Sequence, residues 1–400
     1  MPTEAELVEK AAHYLYPNYR QPPFVIVRGK GCELWDKSGK RYLDFHGGIA
    51  VSTLGHAHPR LVEAVASQAA QVIHLSNYFY NEPNIQLAER LCQLTGLARA
   101  FFCNSGAEAM EGMLKLTRRY FFDKGQPDRY RIVAFDNSFH GRTLGALAAT
   151  GQKKYRDGFG PLPGVTHVPY GDAGAVRAAM GPDVAGILFE PVQGEGGVLP
   201  APPGFMAELR KIADEHGALL LADEIQTGIG RTGSFLAVAK DGVVPDAVAL
   251  AKGLAGGVPI GAMLCGAHLA GVLPPGSHGS TFGGNPLASA AALAVLGALE
   301  DEKLMDNVKA RSLELAAGLA ELAKKHEKLI ATSRGSGLLQ ALVLKDGVDP
   351  RSILERLREA GLLVSIAGAS SLRFSPPLVI REAEVREALG IVDRILGGAA

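Results

Sequence analysis

Six short apolar segments in the middle of the chain constrain its fold more than any other feature of the sequence. Each is four or five residues long, and none alternates apolar with polar side chains. They lie at residues 100–103, 131–135, 185–189, 218–222, 247–250 and 260–264. Strands that are apolar on both faces are typical of a sheet that is covered on both sides.

Helical patterns separate several of these segments. After Ser105, apolar residues recur at the spacing of one helix face through residues 110–117, and a second helix is predicted from Phe205 to about Gly217. Strands that alternate with helices predict an α/β fold in which a mostly parallel sheet is flanked by helices.

The two ends of the chain have a different pattern. Residues 22–45 contain short strand-like segments around a turn at Ser38 and Gly39. Beyond the middle region lie a long predicted helix at 302–327, strands near 340–343 and 372–374, and helices near 351–360 and 381–396. We therefore predict an N-terminal segment at 1–50 that packs with a small α+β domain at 301–400, and a large domain at 51–300 between them.

The charge balance and the hydrophobic pattern exclude several classes of protein. Lys plus Arg and Asp plus Glu both number 41, so the chain has no overall attraction for nucleic acid or for an anionic membrane. No stretch approaches the roughly 18–20 apolar residues needed to cross a bilayer. The acidic residues at positions 4, 6 and 9 also leave no apolar core for a secretory signal. We expect a cytoplasmic protein whose four cysteines, which lack C-x-x-C spacing, are reduced thiols and bind no metal.

Polar and small residues directly follow several of the apolar segments. In an open parallel sheet, ligands bind beyond the carboxyl ends of the strands. Residues 100–103 lead into Asn104, Ser105, Gly106 and Ala107 at the predicted start of a helix. Open backbone N–H groups at such a helix N-terminus suit a phosphate, although an ordinary strand-to-helix turn would have the same appearance.

A lysine and an aspartate occupy equivalent positions after two other segments. Residues 247–250 lead to Ala251 and Lys252, and residues 218–222 lead to Asp223. A lysine at a buried strand end loses hydration, which lowers its pKa and leaves the amine available as a nucleophile and base. An aspartate together with a Schiff-base lysine is the pair that pyridoxal phosphate requires.

Two nucleotide-binding alternatives match parts of the sequence. Asp223 and Glu224 after a strand could belong to an ATP-hydrolysing site, but the sequence lacks the required G-x-x-x-x-G-K-[ST] loop. Residues 228–233 match G-x-G-x-x-G, the fingerprint of a dinucleotide-binding oxidoreductase. The polar insert 223–227 separates these glycines from the strand, and little room for a helix follows them, so we disfavour this alternative.

Nearly the whole chain, from about Tyr14 onwards, resembles the class III (omega-amino-acid) aminotransferases, which are fold-type I pyridoxal phosphate enzymes. Within that family it is most similar to the acetylornithine branch. The matching motifs are W-D at 35–36, G-H-A-H-P at 55–59, N-S-G-A-E-A at 104–109, F-H-G-R-T at 139–143, E-P-V-Q-G-E-G-G at 190–197, D-E-I-Q-T-G at 223–228, A-K-G at 251–253 and G-S-T-F-G-G-N-P at 279–286. So many motifs in one order are specific for the family.

The resemblance implies that pyridoxal 5′-phosphate is the cofactor. Lys252 would hold it as a Schiff base and later move the proton between the substrate carbon and the cofactor. Asp223 would pair with the pyridine nitrogen, Gln226 would contact the ring oxygen, and Phe139 would stack on the ring. Taken without the resemblance, Phe139 could equally be a core residue.

The resemblance also implies how the cofactor phosphate is bound. Gly106 and Ala107 would bind it through backbone N–H groups, with help from Ser105. Thr281 would reach the phosphate of a neighbouring subunit, which implies a homodimer whose phosphate sites are shared between subunits. His56 and His58 would have structural roles at a turn that opens a helix.

Two arginines define the substrate side of the resemblance. Arg142 would bind the distal carboxylate, and Arg373 would grip the α-carboxylate of glutamate. Glu195 would pair with Arg373 while the amino donor is bound, although these two residues could instead form a purely structural salt bridge. Bidentate arginine suits carboxylates. Tyr19 would lie near the donor's carboxylate.

Two further positions are assigned to the substrate site. Ser280 precedes the phosphate-binding threonine, and Ile49 stands where ornithine δ-aminotransferases carry an aromatic residue. The aliphatic side chain of Ile49 argues against free ornithine as donor. Residues 366–368 mildly favour acetylornithine over 4-aminobutyrate.

The resemblance therefore implies a ping-pong transamination in arginine biosynthesis. The amino donor would be N2-acetylornithine and the acceptor 2-oxoglutarate, giving N-acetylglutamate 5-semialdehyde and glutamate. Free ornithine, 4-aminobutyrate, succinylornithine and a lysine-pathway intermediate remain alternative donors, because one pocket can accept several omega-amines.

Overall fold

The structure, a computed structural model, describes residues 2–398. Met1, Ala399 and Ala400, at the ends of the predicted N-terminal segment and small domain, lie outside the described residues. In chain order the strands are β1 (Ile26–Lys30), β2 (Glu33–Asp36), β3 (Arg41–Asp44), β4 (Arg99–Cys103), β5 (Arg131–Phe135), β6 (Val165–Val168), β7 (Val184–Phe189), β8 (Val192–Gln193), β9 (Leu199–Pro200), β10 (Leu219–Asp223), β11 (Ala247–Leu250), β12 (Gly261–Cys265), β13 (Ile330–Ser336), β14 (Leu339–Leu344), β15 (Leu362–Leu363), β16 (Ser365–Ala367) and β17 (Ser371–Phe374).

Helices connect and cover these strands. They are α1 (Glu4–Tyr14), α2 (Gly47–Ala50), α3 (Pro59–Ala69), α4 (Glu82–Thr95), α5 (Gly106–Asp123), α6 (Leu144–Ala149), α7 (Lys153–Arg156), α8 (Ala173–Ala179), α9 (Phe205–His216), α10 (Pro286–Asp301), α11 (Leu304–Lys325), α12 (Pro350–Glu359) and α13 (Glu382–Gly397). The two helices predicted near Ser105 and Phe205 are confirmed as α5 and α9.

The central sheet has seven strands in the order β4-β12-β11-β10-β7-β5-β6. Only β12 runs antiparallel to its neighbours, β11 and β4. All six predicted apolar segments are strands of this sheet. The seventh, β6, was not predicted because its Val-Thr-His-Val sequence mixes polar with apolar side chains at the sheet edge.

The lack of polar alternation follows from burial of both sheet faces. In β10, Leu220 and Ala222 belong to one hydrophobic core cluster, whereas Leu219 and Leu221 belong to another. Successive side chains of a strand point to opposite faces, so both faces of β10 must be apolar. The carboxyl ends of the parallel strands are therefore the natural place for polar side chains.

The N-terminal strands form a separate sheet in the order β1-β2-β3-β15. Strand β15 is contributed by the C-terminal part of the chain, with Leu362 opposite Leu43. This pairing supports the predicted packing of the N-terminal segment with the C-terminal region, while the boundaries at residues 50 and 300 stay predictions. Just before β1, Val25 donates its N–H to Glu4 Oε1 of α1 at 2.8 Å.

The C-terminal region contains an antiparallel sheet in the order β13-β14-β17-β16. Helices α11 and α12 pack on it and α13 packs against these two helices, as the sequence predicts for a small α+β unit. Arg373 lies in β17, with Ala341 opposite it in β14.

The glycines at 228–233 form turns followed by a short 3-10 segment, Ala237–Asp241, and not a helix as a dinucleotide site requires. His56 bonds to Asp44 and His58 precedes α3. All four cysteines are unpaired thiols. Among the helices of residues 2–398, none combines the length and apolar character of a membrane span.

Candidate active site

A cavity of about 430 Å³ opens beyond the carboxyl ends of the central parallel strands. Nine of the fourteen predicted site residues line it, and they come from segments that follow β4, β5, β7, β10 and β11. These nine residues are Ser105, Gly106, Ala107, Phe139, Arg142, Glu195, Asp223, Gln226 and Lys252. The rule that ligands bind beyond the carboxyl ends of parallel strands therefore located the cavity correctly.

Lys252 follows β11 after a single residue and begins a short 3-10 turn. Its backbone φ of 39° lies in the left-handed region, which is uncommon for a residue with a side chain. Burial lowers the pKa of its amine, and the negative charge of Glu195 partly opposes that shift. A lowered pKa increases the uncharged fraction of the amine, which is the form that acts as nucleophile and base.

Asp223 ends β10 and is almost fully buried. Its Oδ1 accepts the backbone N–H of Ile225 at 3.0 Å. Its Oδ2 lies 2.7 Å from Nδ1 of His140, a buried residue that the sequence analysis did not assign to the site. Because a carboxylate oxygen can accept more than one hydrogen bond, Asp223 keeps capacity for a cationic partner.

Glu190 is a second cavity residue that sequence reasoning missed, although both it and His140 lie within quoted motifs. Its Oε2 accepts the backbone N–H of Phe139 at 3.1 Å. Burial, followed by the negative charge of Asp223, raises the pKa of the Glu190 carboxyl well above its usual range. The hydrogen bond to Glu190 fixes the backbone of Phe139 beside the cavity.

The N-terminus of α5 faces the cavity. Ser105 caps this helix, its Oγ accepting the N–H of Glu108 at 3.2 Å. The N–H groups of Gly106 and Ala107, in the first turn, have no acceptor within the helix and are oriented to bind an anion. Gly106 also packs against Ile225, because a Cβ atom at this position would lie 2.8 Å from Ile225 Cδ1.

Two aromatic rings and one arginine form another wall. The guanidinium carbon of Arg142 lies 3.8 Å from the ring centroid of Tyr155 and 5.4 Å from that of Phe139. The two rings are perpendicular to each other, with centroids 5.8 Å apart. Arg142 itself is exposed.

Arg373 reaches the same region from β17, although it does not line the cavity. Its Nη1 bonds to the Glu195 carboxylate and also donates to Gln226 Oε1 at 3.3 Å. Its Nε donates to Ser365 Oγ at 3.0 Å. Burial alone would raise the pKa of Glu195, but the positive charges of Arg373 and Lys252 outweigh it and lower that pKa.

Four predicted site residues lie away from this cavity. Tyr19 and Ile49 are exposed, with 79% and 41% of their surface accessible. Ser280 and Thr281 line a second cavity of about 750 Å³. Ser280 still contacts the first site indirectly, since its Oγ accepts the side-chain amide of Asn104 at 3.2 Å. The substrate and phosphate roles of these four residues stay predictions.

The arrangement described above has counterparts in known proteins. The family model for class-III aminotransferases matches residues 14–396. The chain belongs to the class III aminotransferases. The family accounts for the grouping of the lysine, the aspartate and the helix N-terminus around one cavity, and class III aminotransferases depend on pyridoxal 5′-phosphate.

Individual relatives of this aminotransferase cover nearly all of it. The acetylornithine aminotransferase of Myxococcus xanthus is 51% identical, and the match spans 95% of this chain and 94% of that protein. The succinylornithine transaminase/acetylornithine aminotransferase of Pseudomonas aeruginosa is 46% identical over 95% of this chain and 94% of its own length. A solved ornithine aminotransferase from Toxoplasma gondii, with partial occupancy of pyridoxal phosphate, has a TM-score of 0.95 and 36% identity, covering 98% of this chain and 94% of that one.

The cavity has the chemical groups that pyridoxal phosphate requires. The buried amine of Lys252 suits an aldehyde, and Asp223 has acceptor capacity for a protonated ring nitrogen. The open N–H groups at the start of α5 suit the phosphate. The ring of Phe139 offers an aromatic surface for the pyridine. The residues present therefore fit this cofactor.

Proposed function

We propose that this aminotransferase transfers the omega-amino group of N2-acetylornithine to 2-oxoglutarate. The products would be N-acetylglutamate 5-semialdehyde and glutamate, a step of arginine biosynthesis. The observation that carries the proposal is the unequal state of the two arginines, because Arg373 is paired with Glu195 whereas Arg142 is exposed to the cavity. That arrangement suits a donor with a single carboxylate, as acetylornithine has. Arg142 would bind this carboxylate.

Eight residues would hold the cofactor under this proposal: Ser105, Gly106, Ala107, Phe139, Asp223, Gln226, Lys252 and, from a second subunit, Thr281. When bound, pyridoxal phosphate supplies an aldehyde for amines and a ring that accepts electrons from the substrate carbon. Asp223 would keep the ring nitrogen protonated by placing a negative charge beside it. His140 would hold Asp223 in position through the contact between Nδ1 and Oδ2 of 2.7 Å.

Lys252 would carry the proton. Because burial lowers the pKa of its amine, the uncharged fraction of Nζ increases, and this form can accept a proton from the donor's omega-carbon and return it at another position. Residues 257–260 line the same cavity and give it an apolar surface beside Lys252.

The two arginines would separate the two half-reactions. Arg142 would bind the carboxylate of acetylornithine in the first half-reaction and the distal carboxylate of 2-oxoglutarate in the second. Arg373 would bind only the second carboxylate of 2-oxoglutarate, after Glu195 has moved away. Glu195 keeps Arg373 neutralised while a donor with no carboxylate at that end is bound.

Succinylornithine is the second candidate donor, because the relative from Pseudomonas aeruginosa carries both activities in its name. It differs from acetylornithine only in its acyl group, which carries a second carboxylate. Both donors would present the same α-carboxylate and the same omega-amine. Side-by-side kcat/KM values for acetylornithine, succinylornithine, ornithine and 4-aminobutyrate test the assignment. We expect acetylornithine to be highest, and a tenfold or larger preference for ornithine or 4-aminobutyrate would refute it.

We also propose that the enzyme is a homodimer that shares its phosphate sites. Large apolar side chains are exposed around Thr281, namely Ile73, Tyr78, Phe79, Tyr80 and Phe282, with accessibilities from 54% to 94%. An exposed apolar patch of this kind marks an interaction surface, and a second copy would bring its own Thr281 to the site. Cytoplasmic localisation likewise stays an expectation.

Subunit complementation tests whether the phosphate sites are shared between the two subunits. A mixed dimer of Lys252→Ala and Thr281→Ala subunits would contain one site with both wild-type residues if Thr281 acts across the interface. We expect that site to bind the cofactor with wild-type affinity. Affinity equal to that of the Thr281→Ala homodimer would contradict sharing, and a monomer in sedimentation would contradict the dimer itself.

A further inference from the structure

Glu111 connects the cofactor side of the cavity with its substrate side. It lies on α5, one turn beyond the glycine and alanine at the helix N-terminus. Its Oε1 accepts three hydrogen bonds from the start of α6: from Thr143 Oγ1 at 2.5 Å, from Gly145 N at 2.9 Å and from Ala146 N at 3.1 Å. A Cβ atom at position 145 would collide with this carboxylate, so the glycine permits the close approach.

These contacts cap α6 from outside. Thr143 is the N-cap residue of α6, yet its side chain makes no capping bond within its own helix. The carboxylate of Glu111 accepts two of the backbone N–H groups that would otherwise lack an acceptor, and its negative charge favours the helix N-terminus. A helix of six residues has little stability of its own, so an external cap determines where it begins.

The residue directly before this cap is Arg142. Its guanidinium stacks on Tyr155 at 3.8 Å, and among residues 2–398 it has no carboxylate within salt-bridge distance. Stacking limits the plane of the guanidinium but does not fix the backbone that carries it. The hydrogen bonds to Glu111 fix the backbone segment that directly follows Arg142.

We propose that Glu111 is a positioning residue that holds Arg142 in place for a substrate carboxylate. The proposal rests on the carboxylate-binding role proposed above for Arg142. Because Glu111 belongs to the helix whose N-terminus would bind the cofactor phosphate, α5 sets the separation between the phosphate and the substrate carboxylate. A rigid helix rises by about 1.5 Å per residue, so this separation varies little.

Steady-state kinetics of the holoenzyme test the proposal. Glu111→Ala should raise KM for 2-oxoglutarate and for acetylornithine about tenfold, while kcat changes by less than about threefold. Glu111→Gln keeps an oxygen that can accept the same N–H groups and should return KM to within about threefold of wild type. Glu321→Ala, which removes an exposed glutamate of α11, is the matched control and should leave both constants unchanged.

A double-mutant cycle separates positioning from a general structural role. In an Arg142→Ala background, Glu111→Ala should add less than about twofold to KM, because the residue that it positions is absent. A full additional effect, or a loss of kcat and bound cofactor at unchanged KM, would overturn the proposal. If Arg142→Ala alone left both KM values unchanged, the proposed role of Arg142 would fail, which is a different result.

A second variant keeps the test decisive if Glu111→Ala does not fold. Thr143→Val removes one of the three donors while the glutamate and the backbone contacts remain. We expect a rise of about twofold to threefold in both KM values with unchanged cofactor absorbance. Wild-type KM values for both substrates in this folded variant would contradict the proposal.

Discussion

The two arginines of the site are held in opposite ways. Arg142 is exposed, stacks on Tyr155 and has no acidic partner within residues 2–398. Arg373 is buried, with 3% of its side chain accessible, and is paired with Glu195. Under the proposed function, Arg142 could therefore bind a carboxylate at any time, whereas Arg373 could bind one only after Glu195 moves.

The difference follows from the cost of burying charge. An exposed guanidinium stays hydrated and needs no counter-charge, but a buried one without a partner is strongly destabilising. If both arginines were exposed, the site could not distinguish a substrate with one carboxylate from a substrate with two. Under the proposed function, the unequal pair gives the site one free arginine for the donor and two for 2-oxoglutarate, which has one carboxylate more than acetylornithine.

Substitution of Lys252 should have the largest effect, since the proposed mechanism moves the proton of both half-reactions through this one amine. Lys252→Ala removes the base that moves the proton, so both half-reactions should slow by at least about 10²–10⁴. Single-turnover measurements with each substrate, followed by absorbance of the cofactor, check this. Lys324→Ala, at an exposed position of α11, is the control.

A loss of only one half-reaction in Lys252→Ala would contradict the comparison of the two arginines. If Lys252→Ala stopped the reaction of acetylornithine but left that of 2-oxoglutarate unchanged, the two substrates would not share one proton-transfer group. The two arginines would then serve different sites.

Arg373→Ala should affect one substrate far more than the other. It removes the charge that binds the second carboxylate, so KM for 2-oxoglutarate should rise about 10²-fold while KM for acetylornithine changes by less than about threefold. It also leaves Glu195 without its partner, which should lower the free energy of unfolding by about 3 kcal/mol. Kinetics with both substrates and denaturant titration measure these effects.

The conservative variant Arg373→Lys sharpens that result. It keeps the charge but loses the planar pair of donors, so KM for 2-oxoglutarate should lie between the values of wild type and Arg373→Ala. Equal increases in KM for donor and acceptor in either variant would show that Arg373 does not distinguish the two half-reactions.

Arg142→Ala should have a smaller effect that is equal for the two substrates. Each would lose one partly hydrated ionic contact, so both KM values should rise about tenfold. Because the side chain is exposed, the free energy of unfolding should change by no more than about 0.5 kcal/mol. A stability loss as large as that of Arg373→Ala would mean that the two arginines are not held differently.

The sequence predicted that Lys252 and Asp223 would face one crevice, and both line the same cavity. Lys252 and Asp223 directly follow apolar segments, and the parallel-sheet rule places such residues together. His140 and Glu111 were missed for a physical reason. Each acts on a residue distant in sequence, His140 on Asp223 and Glu111 on the start of α6, and no local pattern encodes such a contact.

The prediction of strands from local sequence patterns has the same limit. Strands with two apolar faces were predicted to within one or two residues, since burial of both faces removes the polar signal. The edge strand β6 was missed because its mixed pattern resembles a loop. The positions of Tyr19, Ile49 and Ser280 outside the first cavity were not predicted either, because no local pattern records which segments the fold brings to a cavity.

Glu195→Gln should have the smallest effect on catalysis and the most specific dependence on pH. It frees Arg373 from its ionic partner, so KM for 2-oxoglutarate should fall by about twofold to threefold and donor turnover should slow by a similar factor. Arg373 would then resemble Arg142 in having no acidic partner.

Glu195→Gln also tests the ion pair between Glu195 and Arg373 through the free energy of unfolding. The pKa of Glu195 is lowered below its ordinary value of 4.5 in the folded protein, so its contribution to stability is present above that value and is lost as pH falls through the lower, folded-state pKa. Glutamine cannot ionise. The difference in unfolding free energy between wild type and Glu195→Gln should therefore be constant from pH 8 to about pH 5 and shrink in more acidic solution. A difference that instead grew on acidification would mean that Glu195 is protonated beside Arg373, and the contrast between a neutralised and an open arginine would no longer hold.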